Sequence, residues 1–190
     1  MGAEFIWWLH ALIGIIVVVF IFKWAVLGGL GTEIIVPKVE EMTPFSVAAQ
    51  TNECLVLSAT LPFANEGKQC ATIMDAILRV QLPYEQYDGA LVRGKVELAG
   101  AVREDDYFEA VLIQKRERID LVLKLSIEGR KGNTLEEAIA HLPDFRMDLI
   151  YQETGRTPVH YEKAIIMMGA DEIAALAGVE LQQEGGAQHG

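Results

Sequence analysis

The run IDLVLKLSI, residues 119–127, puts Ile119, Leu121, Leu123, Leu125 and Ile127 on one side of an extended backbone and Asp120, Lys124 and Ser126 on the other. A period of two is that of a β-strand, and it does not fit the turn of about 3.6 residues that a helix needs. One face of this strand is therefore expected in a core and the other in solvent.

Working outward, residues 91–98 and 107–114 read as strands separated by the acidic turn REDD, residues 103–106. Further upstream, residues 53–61 (ECLVLSATL) and 69–82 (QCATIMDAILRVQL) read as a hairpin joined by FANEGK. In the second arm Cys70, Thr72, Met74, Ala76, Leu78, Val80 and Leu82 alternate strictly and are assigned to one face. A first strand is expected at residues 45–49. Downstream, Asn133 or Thr134 is placed to cap a short helix over residues 135–141, with Glu136 and Glu137 in its first turn and Pro143 beyond its end. Residues 146–151 and 159–168 then form a terminal hairpin around ETGRTP. A last helix over residues 171–181 turns Ile173, Leu176 and Val179 inward.

That makes about eight short strands, mostly joined by connections too short for βαβ crossovers. The expected fold is mainly β: an antiparallel immunoglobulin- or fibronectin-like β-sandwich preceded by one N-terminal transmembrane helix. The Cys and Trp signature of antibody domains is absent. Cys54 and Cys70 fall at the starts of the two arms of the expected hairpin, hence at its opposite ends. They are read as two buried free thiols rather than a bridge.

The transmembrane helix rests on FIWWLHALIGIIVVVFIF, residues 5–22, followed by Lys23, Trp24 and a second apolar run, AVLGGL. A helix over residues 5–30 is roughly 39 Å long, enough to cross a hydrocarbon layer of about 30 Å. Trp7 and Trp8 near one end and Trp24 near the other suit the two headgroup belts, and Lys23 can snorkel outward. The absence of a basic stretch before the apolar run, and the length of that run, favour a retained anchor over a cleaved signal. His10, the one ionisable group well inside the span, lies about one turn from the Trp belt, where a neutral imidazole can reach interfacial water. The expected division is an anchor at 1–31, a linker at 32–44, the sandwich at 45–181 and a disordered tail at 182–190.

The run LSATLPFANEGKQCATIMDAILRVQLP, residues 57–83, resembles the strand, turn and strand of uncharacterised bacterial membrane-anchored immunoglobulin-like domains, with Phe63, Asn65 and Gly67 as the matched turn positions. The resemblance spans residues 55–168 and implies a fold and an anchored topology, with no activity attached. By turn chemistry alone, Asn65 accepts local hydrogen bonds and Gly67 supplies a positive φ.

Sixteen basic residues against 27 acidic ones, a net charge of −11, disfavour a nucleic-acid role. The four histidines, His10, His141, His160 and His189, have no metal-ligand spacing. His141 reads as a helix-end residue, and His160 would matter only if the neighbouring strand brought Asp148 beside it. GRKGNT, residues 129–134, lacks the ending of a phosphate loop. No residue is singled out as catalytic, cofactor-binding or metal-ligating.

The reading is a single-pass membrane protein without enzymatic activity. Residues 5–30 contact the lipid bilayer, and the sandwich serves as an interaction, scaffold or accessory subunit for a protein partner in a membrane complex, with no cofactor. A pilin-like filament subunit is the alternative, although Glu4 precedes Phe5 instead of lying within the helix, and an enzyme with a nonlocal site is the third. Lys23 against Glu4 nominally places the domain in the cytoplasm, whereas anchored immunoglobulin-like domains more often face outward; the balance leans extracytoplasmic.

Overall fold

The computed structural model describes residues 2–82, 87–101 and 107–182. The expected acidic turn at residues 103–106 and nearly all of the expected tail lie outside them.

Helix α1, Gly2–Leu30, contains one segment, Phe5–Leu30, long and apolar enough to cross a membrane, and none of it is buried against the rest of the chain. His10 hydrogen-bonds through Nδ1 to the Ile6 carbonyl at 2.7 Å, so its polarity is met within its own helix. The remaining elements are β1 (Ile35–Pro37), β2 (Ser46–Gln50), β3 (Cys54–Asn65), β4 (Ala71–Gln81), β5 (Ala90–Leu98), β6 (Val111–Ile113), β7 (Arg118–Gly129), α2 (Leu135–Ala140), β8 (Phe145–Thr154), β9 (His160–Met168) and α3 (Ala170–Ala177).

The strands form two antiparallel sheets packed as an immunoglobulin-like sandwich. One runs β1-β3-β7-β5, with β2 sharing the β3 edge with β1, and the other runs β6-β4-β8-β9. Strand β7 is central, paired with β3 and β5. Leu121, Leu123, Leu125 and Ile127 are fully buried and Ile119 packs half-buried against the core, while Lys124 on the other face pairs with Glu97 of β5 at 2.6 Å. The sheets meet across an edge-on contact between Phe63 of β3 and Tyr151 of β8, ring centroids 5.2 Å apart.

Several expectations change. Strands β3 and β4 are not a hairpin: the chain leaves one sheet after Asn65 and enters the other at Ala71. Strand β4 does not keep one phase either. Between Met74 and Ile77 its register against β8 shifts by one residue, with Asp75 at φ 51°, and one extra residue exchanges the two faces. Ala71 and Ile73 point inward before the bulge and Ala76 and Leu78 after it, so Cys70, Thr72 and Met74 belong to the outer face. Cys70 is accordingly exposed and Cys54 half-buried, both as free thiols and not the buried pair expected. The stretch 32–44 also differs from an extended linker. Its residues 35–37 form β1 on the edge of β3, and Lys38 N–H donates to the Pro62 carbonyl at 2.8 Å.

Strand β6 is shorter than the expected 107–114 and pairs with β4, away from β5. Thr134 caps α2 in a reciprocal box with Glu137, and α3 buries Ile173. The expected β8–β9 hairpin is present.

The thiols differ in surroundings, which sets an expected result. Iodoacetamide added to the native protein should label Cys70 promptly. Cys54, whose thiol is pushed up by partial burial and then by the Glu128 charge, should label slowly until the protein is unfolded. Failure to label both after unfolding, without reductant, would contradict two free thiols.

Candidate membrane-proximal site

Four segments converge where α1 meets the sandwich: residues 31–34, the β3–β4 connection at 66–70, the β6–β7 turn at 114–117 and the β8–β9 turn at 155–159. Helix α1 stops at Gly31, whose φ of +67° is the left-handed conformation common just past a helix end. The carbonyls left over at that end are taken up by the domain. Gln69 Nε2 donates to Leu30 O at 2.8 Å, Arg156 Nη1 to Gly31 O at 3.1 Å, and Lys68 N–H to Thr32 O at 2.9 Å.

Asn65 ties these segments together. Its side-chain oxygen accepts from Gly67 N–H at 3.0 Å and Ile34 N–H at 3.4 Å, while its amide nitrogen donates to the carbonyls of Gln69 at 2.8 Å and Ile113 at 3.2 Å. The local acceptor role expected of Asn65 is therefore real, but half of its work reaches other segments. Gly67 is needed for a different reason from the one expected, since its φ is not positive. A Cβ there would lie 2.5 Å from Ile34 N and 2.6 Å from Thr32 O, inside the backbone that leaves α1. Gly67→Ala should therefore lower stability by about 1–3 kcal/mol, or more where the backbone cannot yield. Urea unfolding would measure it, and an unchanged midpoint would contradict the close approach.

Two buried carboxylates flank this junction. Glu33 Oε1 accepts from Thr157 N–H at 2.6 Å. Burial pushes its carboxyl up, but hydrogen bonds from the Thr157 side chain and from nearby backbone amides outweigh that and hold its pKa at about 2. Glu153 of β8 moves the other way: burial first, then the charges of Glu162 and Glu33, push it up, against an opposing pull from His160. A depressed carboxyl contributes stability that is present above the unfolded pKa and lost as pH falls toward 2. A raised one carries a penalty above its folded pKa that disappears below the unfolded value. At neutral pH, Glu33→Gln should lower the melting temperature and Glu153→Gln should raise it, and the gain from Glu153→Gln should vanish in acid. Thermal unfolding of both variants across pH checks the signs.

His160 lies opposite Glu153 in the β8–β9 pairing, whereas Asp148 lies opposite Ile165, so the Asp148 neighbour considered from the sequence is not there. His160 Nδ1 is engaged with the Pro158 carbonyl at 3.0 Å and its Nε2 is 3.6 Å from Glu162. His141 ends α2 as its C-cap residue. Glu33 and Glu153 were not legible as a buried pair, because they lie in distant segments that only the fold brings together.

A cleft of about 390 Å³ lies between β5 and β6, with Glu97 and Phe108 in its wall. The Glu97 carboxylate is already held by Lys95 at 2.8 Å and Lys124 at 2.6 Å. No group of three or more metal-ligating side chains occurs among the described residues.

No protein-family model matches the chain, and no curated protein matches it. Solved structures with a similar fold include the GAE domain of GGA2p from Saccharomyces cerevisiae, at 10% identity and a TM-score of 0.34 over 73% of this chain and 99% of that one. A FixG-related protein from Vibrio parahaemolyticus aligns at 10% identity and a TM-score of 0.30 over 74% of this chain and 95% of the other. These likenesses are coarse, and the fold assignment rests on the strand pairing itself.

Proposed function

We propose that the chain is a single-pass membrane protein whose sandwich serves as an interaction or accessory module for a membrane complex. The observation that carries this reading is the junction: only residues 31–34 separate α1 from β1, and the side chains of Gln69, Arg156 and Asn65 hold the junction at Leu30, Gly31 and Ile34. A domain clamped to the end of its anchor cannot search far from the bilayer, so its partners are membrane-bound or membrane-adjacent. The contact is assigned to β9, the edge strand of its sheet, which turns Tyr161, Ile165 and Met167 outward with Met167 66% exposed. Natural edge strands are usually blunted by charge, proline or a cover, and β9 carries Lys163 as the single charge on that face between Tyr161 and Met167. The occupant this geometry suits is a strand of a membrane-complex subunit, added by main-chain pairing with side-chain contacts to the outward apolar residues.

The test is native electrophoresis of the carbonate-resistant membrane fraction, comparing the wild type with Ile165→Lys and Met167→Glu combined. The wild type should migrate well above its 21.0 kDa and the variant at or near it. Wild-type migration as a lone chain would reject the accessory role.

A further inference from the structure

Among the described residues, four basic side chains gather at one end of an otherwise acidic chain. Lys68 on the β3–β4 connection, Lys115 and Arg116 on the β6–β7 turn, and Arg156 on the β8–β9 turn are all exposed at the end of the sandwich that meets α1. None of the four has an ion-pair partner among the described residues. Of the carboxylates nearby, Glu66 is engaged with Lys38 at 2.5 Å, Glu117 with the Gln114 amide at 2.6 Å, and Glu33 and Glu153 are buried, Glu33 against Thr157. Ile34 and Leu112 are about half exposed beside these cations and Val159 slightly more, which adds apolar surface at the same end.

The helix sets the distance of this end from lipid. With Trp24 in the headgroup belt, six further residues bring the chain to Leu30, a rise of about 9 Å, close to the thickness of one headgroup layer. The basic groups then stand within about one Debye length of the bilayer surface, where a negative surface potential still acts.

We infer that Lys68, Lys115, Arg116 and Arg156 form a collar that docks the sandwich onto anionic lipid headgroups around its own transmembrane helix. The inference rests on the reading of α1 as a membrane anchor and adds a lipid class and an orientation to it. The occupant follows from charge and place: four unpaired cations interspersed with exposed aliphatic side chains, at the one end that a membrane helix must hold against the bilayer. Docking fixes the sandwich upright, so that β9 and the distal helices α2 and α3 are presented at a set height. Each basic residue close to an anionic surface strengthens contact roughly fivefold, so neutralising three of them should weaken docking by on the order of a hundredfold.

Cys70, exposed within the collar, supplies the probe. The full chain with Cys54→Ser carries a nitroxide on Cys70 and is reconstituted into bilayers of phosphatidylcholine alone or of phosphatidylcholine with phosphatidylglycerol. Accessibility to a water-soluble nickel relaxation agent is then measured. The expected result is protection in the phosphatidylglycerol bilayers that is lost at high salt and lost in Lys68→Gln, Lys115→Gln and Arg116→Gln combined. Arg156 is kept because it also bonds Gly31. Equal accessibility in the two lipids, or protection that survives high salt, overturns the collar, as does a folded triple variant that stays protected. If the triple variant does not fold, the salt response of the wild type decides alone. Release of the unlabelled chain by carbonate would instead bring down the anchor reading and the collar with it, whereas carbonate resistance with lipid-independent accessibility removes the collar only.

Discussion

Leu123→Asp is expected to leave no folded sandwich. Leu123 is fully buried at the middle of β7, opposite Ala59 of β3 and Val96 of β5, and its side chain lies in the layer between the sheets. A carboxylate there has no partner and no water, at a cost of several kcal/mol, while a domain of this size has about 5–15 kcal/mol in total. Full-length protein carrying the substitution should lack a cooperative thermal transition and should be degraded at sites that are protected in the wild type. Leu123→Ile, which keeps the volume, should cost less than about 1.5 kcal/mol and retain the transition. A cooperative transition in the Asp variant near the wild-type temperature would mean that β7 is not the centre of the core.

Asn65→Asp should be the most damaging isosteric change in the chain. The substitution keeps the acceptor for the Gly67 and Ile34 amides and replaces the donor by a second oxygen. That oxygen would face the carbonyls of Gln69 and Ile113, which Asn65 now serves at 2.8 and 3.2 Å. Two lost hydrogen bonds and a buried charge against two acceptors should cost on the order of 3–5 kcal/mol at neutral pH. The introduced carboxyl would have a raised folded pKa, so its charge penalty should be full above that value, fade as pH falls from there toward about 4, and be gone below about 4. Urea unfolding at neutral and acid pH would show a gap to the wild type that narrows on acidification. A gap independent of pH would mean that Asn65 does not face the two carbonyls. Because Asn65 and Gly67 join the exit of α1 to the β3–β4 connection and the end of β6, either change should also loosen the junction on which the proposed docking depends.

Much of this architecture was legible because it is local. Period-two alternation in residues 119–127 identified β7, the apolar run after Phe5 identified α1, and a cap at Asn133 or Thr134 followed by Glu136 and Glu137 identified the start of α2, each from interactions within a few residues. Turn chemistry also placed Gly67 in the connection and Asn65 at its edge, where β3 ends. Their roles exceeded that reading, since two of the Asn65 partners lie 31 and 48 residues away.

What only the tertiary structure decided depends on pairings between distant segments. A turn between two strands reads the same whether the strands pair in one sheet or pass between two, so the separation of β3 from β4 could not be seen locally. The bulge near Asp75 is one inserted residue, and alternation counted through it exchanges inside for outside, which put Cys70 on the wrong face. The residues after α1 have the prolines and charges of a linker, yet β3 offers them a free edge, and pairing there satisfies their backbone. The collar has the same origin. Lys68, Lys115, Arg116 and Arg156 are scattered through an acidic sequence, and only the return of three connections to the end that holds α1 makes them neighbours. Chain-local physics thus determined which segments are strands and helices, whereas the pairing of strand edges determined which charges share a surface.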